Sequence, residues 1–113
     1  MSQITTHILD TSHGSPAAGV PVSLQLQVAD AWQLLATDTT NADGRVVDLL
    51  PADKPLPAGT YKMHFDTGAY FSANSLPVFY PWVEVVFTIN GDGAHYHIPL
   101  LLSPYGYSTY RGS

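Results

Sequence analysis

Apolar and polar side chains alternate along most of this chain with a period of two residues. Residues 20–28 place an apolar side chain at every second position from Val20 to Val28, and residues 59–66 and 82–90 repeat the pattern. Because successive side chains of a strand point to opposite faces, this period indicates half-buried β-strands. An α-helix needs a period near 3.6, which is almost absent, so the chain is predicted to be all-β.

Seven or eight short strands and one short helix are predicted. Turn residues rich in Asn, Asp and Gly separate the strands at 41–44 and 91–93, and a proline-rich loop covers 51–57. Strands of this length between regular turns are typical of an antiparallel β-sandwich. The chain of 113 residues suffices for one domain, residues 1–113. The predicted strands are residues 4–10, 20–28, 32–39, 45–49, 59–66, 82–90, 95–102 and 105–110, with the helix at 67–75.

The charge content limits the partners of this protein. Charged residues make up 12% of the chain, against roughly 25% in typical soluble domains, so we expect association to hide part of the surface. The net charge is −5, with only four lysines and arginines, which leaves no basic patch for nucleic acid. Each arginine is therefore a strong candidate for binding an anionic ligand.

Several residue types are missing from the sequence. Without cysteine there are no disulfides, thiolate nucleophiles or cysteine zinc sites. Glu84 is the only glutamate, so a catalytic pair of carboxylates is not evident. The first residues lack the pattern of a signal peptide and no apolar run is long enough to cross a membrane, which predicts a cytoplasmic protein without a membrane partner.

Three histidines are predicted to point away from the sandwich core. His95 and His97 alternate with Tyr96 and Ile98, and His7 lies on the face of the first strand opposite to Ile4 and Ile8. An outward histidine is usually an ordinary surface residue, and His13 and His64 are read in that way. The His-x-His pair could instead chelate zinc, with His7 as a third ligand, or the imidazoles could act in acid–base catalysis.

The last nine residues hold three tyrosines, Arg111 and the terminal carboxylate. Chain ends commonly fray, but tyrosine joins an apolar ring to a polar hydroxyl and is suited to docking. The tail is therefore predicted to pack against another part of the protein.

Two long segments resemble the transthyretin family. They are HILDTSHGSPA at residues 7–17 and YHIPLLLSPYGYS at residues 96–108, and shorter matches at 59–62 and 85–88 extend the resemblance over nearly the whole chain. The resemblance implies a sandwich of two four-stranded sheets with one short helix, assembled as a homotetramer, a dimer of dimers. It also implies that the fourth, first, seventh and eighth predicted strands form one sheet, whose outer face lines a channel between dimers.

Within that family the chain is similar to the hydrolases, which share a histidine in the first strand, an arginine after an Asp-Gly turn, a histidine before Ile-Pro and a terminal Tyr-Arg-Gly-Ser. This resemblance implies hydrolysis of 5-hydroxyisourate, the product of urate oxidation, to 2-oxo-4-hydroxy-4-carboxy-5-ureidoimidazoline, without a cofactor or metal. The implied catalytic residues are His7, Arg45 and His97. The resemblance implies that Tyr110 and Ser113 contact the substrate together with His7 and Arg45. It places His95, Ser108 and Arg111 in a supporting position next to these residues.

Two other functions stay open at this point. A carrier would bind a small molecule in the tetramer channel, as hormone carriers of the family do. A metallohydrolase would use the histidines as ligands for zinc.

Overall fold

Two β-sheets pack face to face in the computed structural model, which describes residues 2–51 and 55–112. Each sheet buries the apolar side of its alternating strands against the other, which explains why a chain with this period folds as a sandwich. The prediction of an all-β sandwich is confirmed. The elements are β1 (Ile4–Asp10), β2 (Ser15–Pro16), β3 (Pro21–Val28), β4 (Ala31–Thr39), β5 (Arg45–Val46), β6 (Gly59–Phe65), α1 (Thr67–Ala73), β7 (Val83–Ile89), β8 (Tyr96–Ser103) and β9 (Gly106–Thr109).

The sequence located the elements well, with differences at their ends. The predicted helix is present as α1, whose first turn is capped by the Asp66 carboxylate, which accepts a hydrogen bond from the Ala69 backbone N–H at 3.1 Å. The strand predicted at 45–49 is reduced to the two residues of β5. Part of the predicted loop at 51–57 lies outside the described residues. Within the described ranges, no helix is long and apolar enough to cross a membrane.

The first sheet has the order β2-β1-β8-β9, with β5 also paired to β1, and the second has the order β4-β3-β6-β7. The first sheet therefore contains the four predicted strands and, in addition, the two-residue strand β2. Strands β1 and β8 run parallel, whereas the other pairs are antiparallel as predicted. A parallel pair needs a long crossover, and here the whole second sheet lies between the two strands in the chain.

The core lies between the sheets, as alternation predicted. Ile4 and Ile8 of β1, Tyr61 of β6 and Leu100 of β8 have no exposed surface. Val28 is an exception, because it was predicted on the core face and is 49% exposed. It is the last residue of β3, next to the turn into β4, where the sheet extends beyond the packed interface.

The turn before β5 requires glycine. Gly44 has a φ of +71°, and a Cβ atom at this position would lie 2.5 Å from the Ile8 carbonyl oxygen. The Gly44 carbonyl also accepts a hydrogen bond from the Ile8 N–H at 2.8 Å. Only glycine permits both this conformation and this approach, and the turn holds Arg45 against β1.

Candidate active site

The outer face of the first sheet carries the histidines singled out in the sequence. His7 is half-buried on this face, while Ile4 and Ile8 of the same strand fill the core. On β8, Tyr96 and Ile98 are buried and His97 is half-buried on the opposite side. The orientation predicted for the imidazoles from alternation is confirmed.

Arg45 lies directly beside His7. Strand β5 pairs with β1 so that Arg45 is opposite His7 and Val46 is opposite Thr6. Paired residues of neighbouring strands project to the same face, and the buried Val46 places Arg45 on the outside. The structure therefore brings the guanidinium to the face that holds His7 and His97.

His97 is held by a neighbouring hydroxyl group. Thr5 is opposite His97 in the parallel register of β1 and β8, and its Oγ1 lies 2.8 Å from His97 Nδ1. The same Oγ1 lies 3.0 Å from His95 Nε2. The rings of His95 and His97 are stacked, with centroids 6.4 Å apart. His95 thus contacts the site through Thr5, consistent with the supporting place given to it from the resemblance.

The two half-buried imidazoles of this cluster, His7 and His97, favour the neutral form. Burial, and then the positive charge of Arg45, lowers the pKa of His7 below its ordinary value of 6.5, although Asp43 opposes this through its backbone and its charge. Burial, then Arg45, His95 and His7, lowers the pKa of His97. A neutral imidazole can accept a proton from water, and an adjacent guanidinium can bind a developing anion. The arrangement is suited to hydrolysis.

Removal of the Arg45 charge is expected to raise the pKa of His7 and of His97. In Arg45→Gln both values should rise toward 6.5 without reaching it, because burial, the larger cause, remains. Titration of the imidazole C–H signals by NMR measures the change. Arg111→Gln is the matched control, since Arg111 lies elsewhere, and it should leave both values in place; unchanged values in Arg45→Gln would contradict this electrostatic account.

The C-terminal tail covers part of His97. Gly112 donates its backbone N–H to the His97 carbonyl at 2.9 Å and forms an isolated β-bridge with it. A Cβ atom at position 112 would lie 2.5 Å from Cδ2 of the His97 ring, so only glycine lets the tail approach this closely. The predicted docking of the tail is confirmed at this point. Ser113, proposed to contact substrate, lies outside the described residues.

The other tail residues are placed differently from one another. Ser108 pairs with Leu101 of β8, which puts it on the outer face. Arg111 was expected behind the histidines, but its guanidinium lies 4.4 Å from the centre of the Tyr96 ring, on the core side of β8. Adjacent residues of an extended tail point to opposite sides, which explains why Arg111 and Gly112 separate. Tyr110, 58% exposed, borders a cavity of about 250 Å³ together with Arg111.

The remaining histidines are outside this cluster. His13 follows β1 and contacts the Asp10 carboxylate at 2.8 Å. His64 lies on β6 and stacks on Trp82, with ring centroids 6.2 Å apart. Across the described parts of the chain, no group of three or more His, Cys, Asp or Glu side chains is arranged to hold a metal ion.

Two residues near the site were not singled out in the sequence. Thr5 shares the outer face of β1 with His7, two positions away, so its direction could have been predicted from alternation. Its contacts could not, because the two histidines lie 90 and 92 positions further along the chain. Asp43 lies in the turn before β5 and raises the pKa of His7 through its backbone and its charge. In the sequence, only its acidic side chain next to Gly44 indicated such an effect.

Comparison with known proteins places the whole chain in one family. The model of the HIUase/Transthyretin family matches residues 4–112. A mouse 5-hydroxyisourate hydrolase is 48% identical over 114 residues, covering 99% of this chain and 96% of the relative.

Solved structures agree with this match. A 5-hydroxyisourate hydrolase from Klebsiella pneumoniae superimposes with a TM-score of 0.85 at 43% identity, covering 97% of this chain and 98% of the other. Sea bream transthyretin in complex with thyroxine superimposes with a TM-score of 0.91 at 36% identity, covering 97% and 94%. The sequence, the two-sheet fold and these matches together show that the chain belongs to the HIUase/Transthyretin family.

Proposed function

We propose that the chain hydrolyses 5-hydroxyisourate to 2-oxo-4-hydroxy-4-carboxy-5-ureidoimidazoline during urate breakdown, without a metal or cofactor. The observation that carries the proposal is the meeting of His7, His97 and Arg45 on one face of the first sheet. The hydrolase relatives support it, since they are 48% and 43% identical to this chain, against 36% for the thyroxine-binding transthyretin.

The reaction opens a lactam ring with one molecule of water. A neutral imidazole takes a proton from water, and the hydroxide adds to the ring carbonyl carbon. The carbon–nitrogen bond then breaks, and an imidazolium returns the proton to the departing nitrogen. His7 and His97 share these two roles in the proposal, because both are held neutral before the reaction begins.

Arg45 is assigned to substrate binding and charge stabilisation. Its planar guanidinium offers parallel N–H donors to the oxygen-rich substrate and to the oxyanion formed during water attack. Tyr110 and Ser113 are proposed to close the pocket over the substrate. Gly112 supports this assignment, since it brings the tail into contact with the His97 ring.

The direct test is the decay of 5-hydroxyisourate. Urate oxidase generates the unstable compound in situ, and its loss is followed by ultraviolet absorbance while circular dichroism records the handedness of the product. The protein is expected to accelerate the decay and to give one enantiomer. An unchanged decay rate with a racemic product would reject the proposed function.

A carrier is the second candidate, favoured by the similarity to a transthyretin solved with thyroxine. A carrier would bind thyroxine tightly and leave hydroxyisourate decay unaffected. The charged and imidazole groups on the outer face of the first sheet favour a small polar substrate over an aromatic hormone. Calorimetric titration with thyroxine, run beside the decay assay, separates the two functions.

A zinc-dependent hydrolase is the third candidate, because His95 and His97 form a His-x-His pair. The structure gives it little support, as their facing nitrogens are both bonded to Thr5 Oγ1. Loss of activity on chelation, with recovery on adding zinc, would favour the metal enzyme; full activity after chelation would exclude it.

The assembly is proposed to be a homotetramer in which the outer face of the first sheet lines a shared channel. Support comes from the low charge content and from large exposed side chains such as Phe79 and Tyr105, which are 62% and 66% exposed. Light scattering should give four times the 12.2 kDa chain mass, and a monomer would contradict the proposal. The cytoplasmic location stays a prediction.

A further inference from the structure

The hydroxyl group of Thr5 joins two imidazole rings. Thr5 is only 4% exposed, and its Oγ1 lies 2.8 Å from His97 Nδ1 and 3.0 Å from His95 Nε2. Both distances are those of full hydrogen bonds. His95 is exposed to solvent, whereas His97 is half-buried, so the hydroxyl connects the reacting face with water.

A hydroxyl group has one hydrogen and can donate it to only one of the two rings. If Thr5 donates to His95 Nε2, then His97 must donate its Nδ1 hydrogen to Thr5, which leaves His97 Nε2 unprotonated and available as a base. If Thr5 donates to His97 Nδ1, then His97 carries its hydrogen on Nε2 and cannot accept a proton there. The direction of the two hydrogen bonds therefore decides whether His97 is a base.

We propose that Thr5 is a positioning residue that donates to His95, keeps His97 in the Nδ1–H tautomer, and passes a proton from His97 to His95 during turnover. The proposal deepens the proposed function and rests on it for its catalytic part. The tautomer itself is a property of the resting protein and can be measured without substrate.

The proton transfer is balanced at every atom. His97 Nε2 takes a proton from water, so the ring briefly carries a proton on each nitrogen. Its Nδ1 proton moves to Thr5 Oγ1 as the Thr5 hydroxyl hydrogen moves to His95 Nε2. One proton has entered the three side chains and is carried by His95. It returns along the same path to His97 Nδ1 as His97 gives its Nε2 proton to the departing nitrogen, which restores the starting tautomer.

Electrostatics gives the transfer its direction. A positive charge on His97 is opposed by burial and by Arg45 on β5, His7 on β1 and neighbouring His95, the groups that lower the pKa of His97 among the described residues. The same charge on His95 is exposed to water. Transfer of the proton from His97 to His95 therefore moves the positive charge from a half-buried ring to an exposed one.

The test uses two substitutions of Thr5 and one matched control in the full-length protein. Thr5→Val keeps the shape but removes the hydroxyl, whereas Thr5→Ser keeps the hydroxyl. Thr6→Val makes the same chemical change one residue along β1, on the opposite face, where the Thr6 hydroxyl donates to the Ile98 carbonyl at 2.6 Å.

The expected kinetic result is a fall in kcat of about 10-fold or more in Thr5→Val, with KM changed less than about twofold. Thr5→Ser should stay within about threefold of the original kcat. Thr6→Val should lower the melting temperature but leave kcat in place. Equal kcat values in Thr5→Val and Thr5→Ser would overturn the positioning role.

The second measurement is ¹⁵N NMR of the imidazole rings, which distinguishes the two tautomers. His97 is expected to carry its hydrogen on Nδ1 in the original protein and in Thr5→Ser, and to populate both tautomers in Thr5→Val. An Nε2–H tautomer in the original protein would overturn the proposal, even if Thr5→Val failed to fold. Absence of hydroxyisourate hydrolysis in the original protein would instead reject the proposed function and leave the tautomer result standing.

Discussion

Replacing His97 with alanine is expected to lower kcat for 5-hydroxyisourate hydrolysis by on the order of 10²-fold or more. The substitution removes a half-buried imidazole whose pKa is lowered, and with it one of the two groups that exchange a proton with water. His7→Ala is expected to have an effect of the same size. Arg45→Ala should match it, because the guanidinium stabilises the oxyanion and, after burial, contributes to the lowered pKa of both imidazoles.

The control for these variants is His64→Ala, the same change on the second sheet, where the ring stacks on Trp82. Its turnover should stay near that of the original protein. Stopped-flow absorbance with freshly generated substrate gives kcat and KM for each variant, and light scattering verifies that assembly is retained. Near-normal turnover in all three site variants would reject the assignment of these residues.

The pH dependence of activity follows from the same residues. His7 and His97 act as bases only when neutral, and both have pKa values below 6.5. In a pH–rate profile, the midpoint of the loss of activity on the acid side should therefore lie below pH 6.5, where these imidazoles become protonated.

Replacing Asp10 with alanine is expected to lower the free energy of unfolding by about 3 kcal/mol or more. Asp10 ends β1 with no exposed surface. Its carboxylate accepts hydrogen bonds from the Tyr70 hydroxyl of α1 at 2.6 Å, from the Ser12 hydroxyl at 2.6 Å and from the Ser12 N–H at 3.0 Å, and it contacts His13 Nδ1 at 2.8 Å. Alanine leaves the buried Tyr70 hydroxyl without its acceptor and detaches the loop after β1 from the helix.

The Asp10 cluster also predicts an acid-sensitive stability. Burial opposes the charged form, but the hydrogen bonds from Ser12, Tyr70 and His13 outweigh it and lower the pKa of Asp10 from 3.8 to about 2. The folded state therefore binds fewer protons than the unfolded state between these values. The resulting stability, about 2 kcal/mol, is present above roughly pH 4 and is lost as the pH falls toward 2.

Urea denaturation at pH 7 and at pH 3 measures both effects. Asp10→Ala should show a lower midpoint at pH 7 and a smaller loss between the two pH values than the original protein. Asp48→Ala removes an exposed carboxylate and should unfold almost like the original protein. Equal midpoints for the Asp10 and Asp48 variants would show that the carboxylate cluster does not stabilise the loop.

The direction of a side chain on its strand was determined by the sequence alone. His7 points outward because Ile4 and Ile8 of its strand fill the core, and His97 because Tyr96 and Ile98 do, since side chains alternate between the two faces of a strand. The turn at Gly44 was similarly evident from local residues, since its backbone conformation excludes most other side chains. Family membership followed from two long motifs, and the match over residues 4–112 confirmed it.

The residue-by-residue register of distant strands was decided only by the tertiary structure. The parallel register of β1 and β8 places Thr5 beside His97, and the pairing of β5 with β1 places Arg45 beside His7. These contacts depend on how two sheets close over a shared core, and no local period encodes that closure. The same holds for the tail, in which Arg111 lies over the Tyr96 ring and Gly112 contacts the His97 ring. These contacts arise because the tail packs against β8, which no local pattern in the sequence indicates.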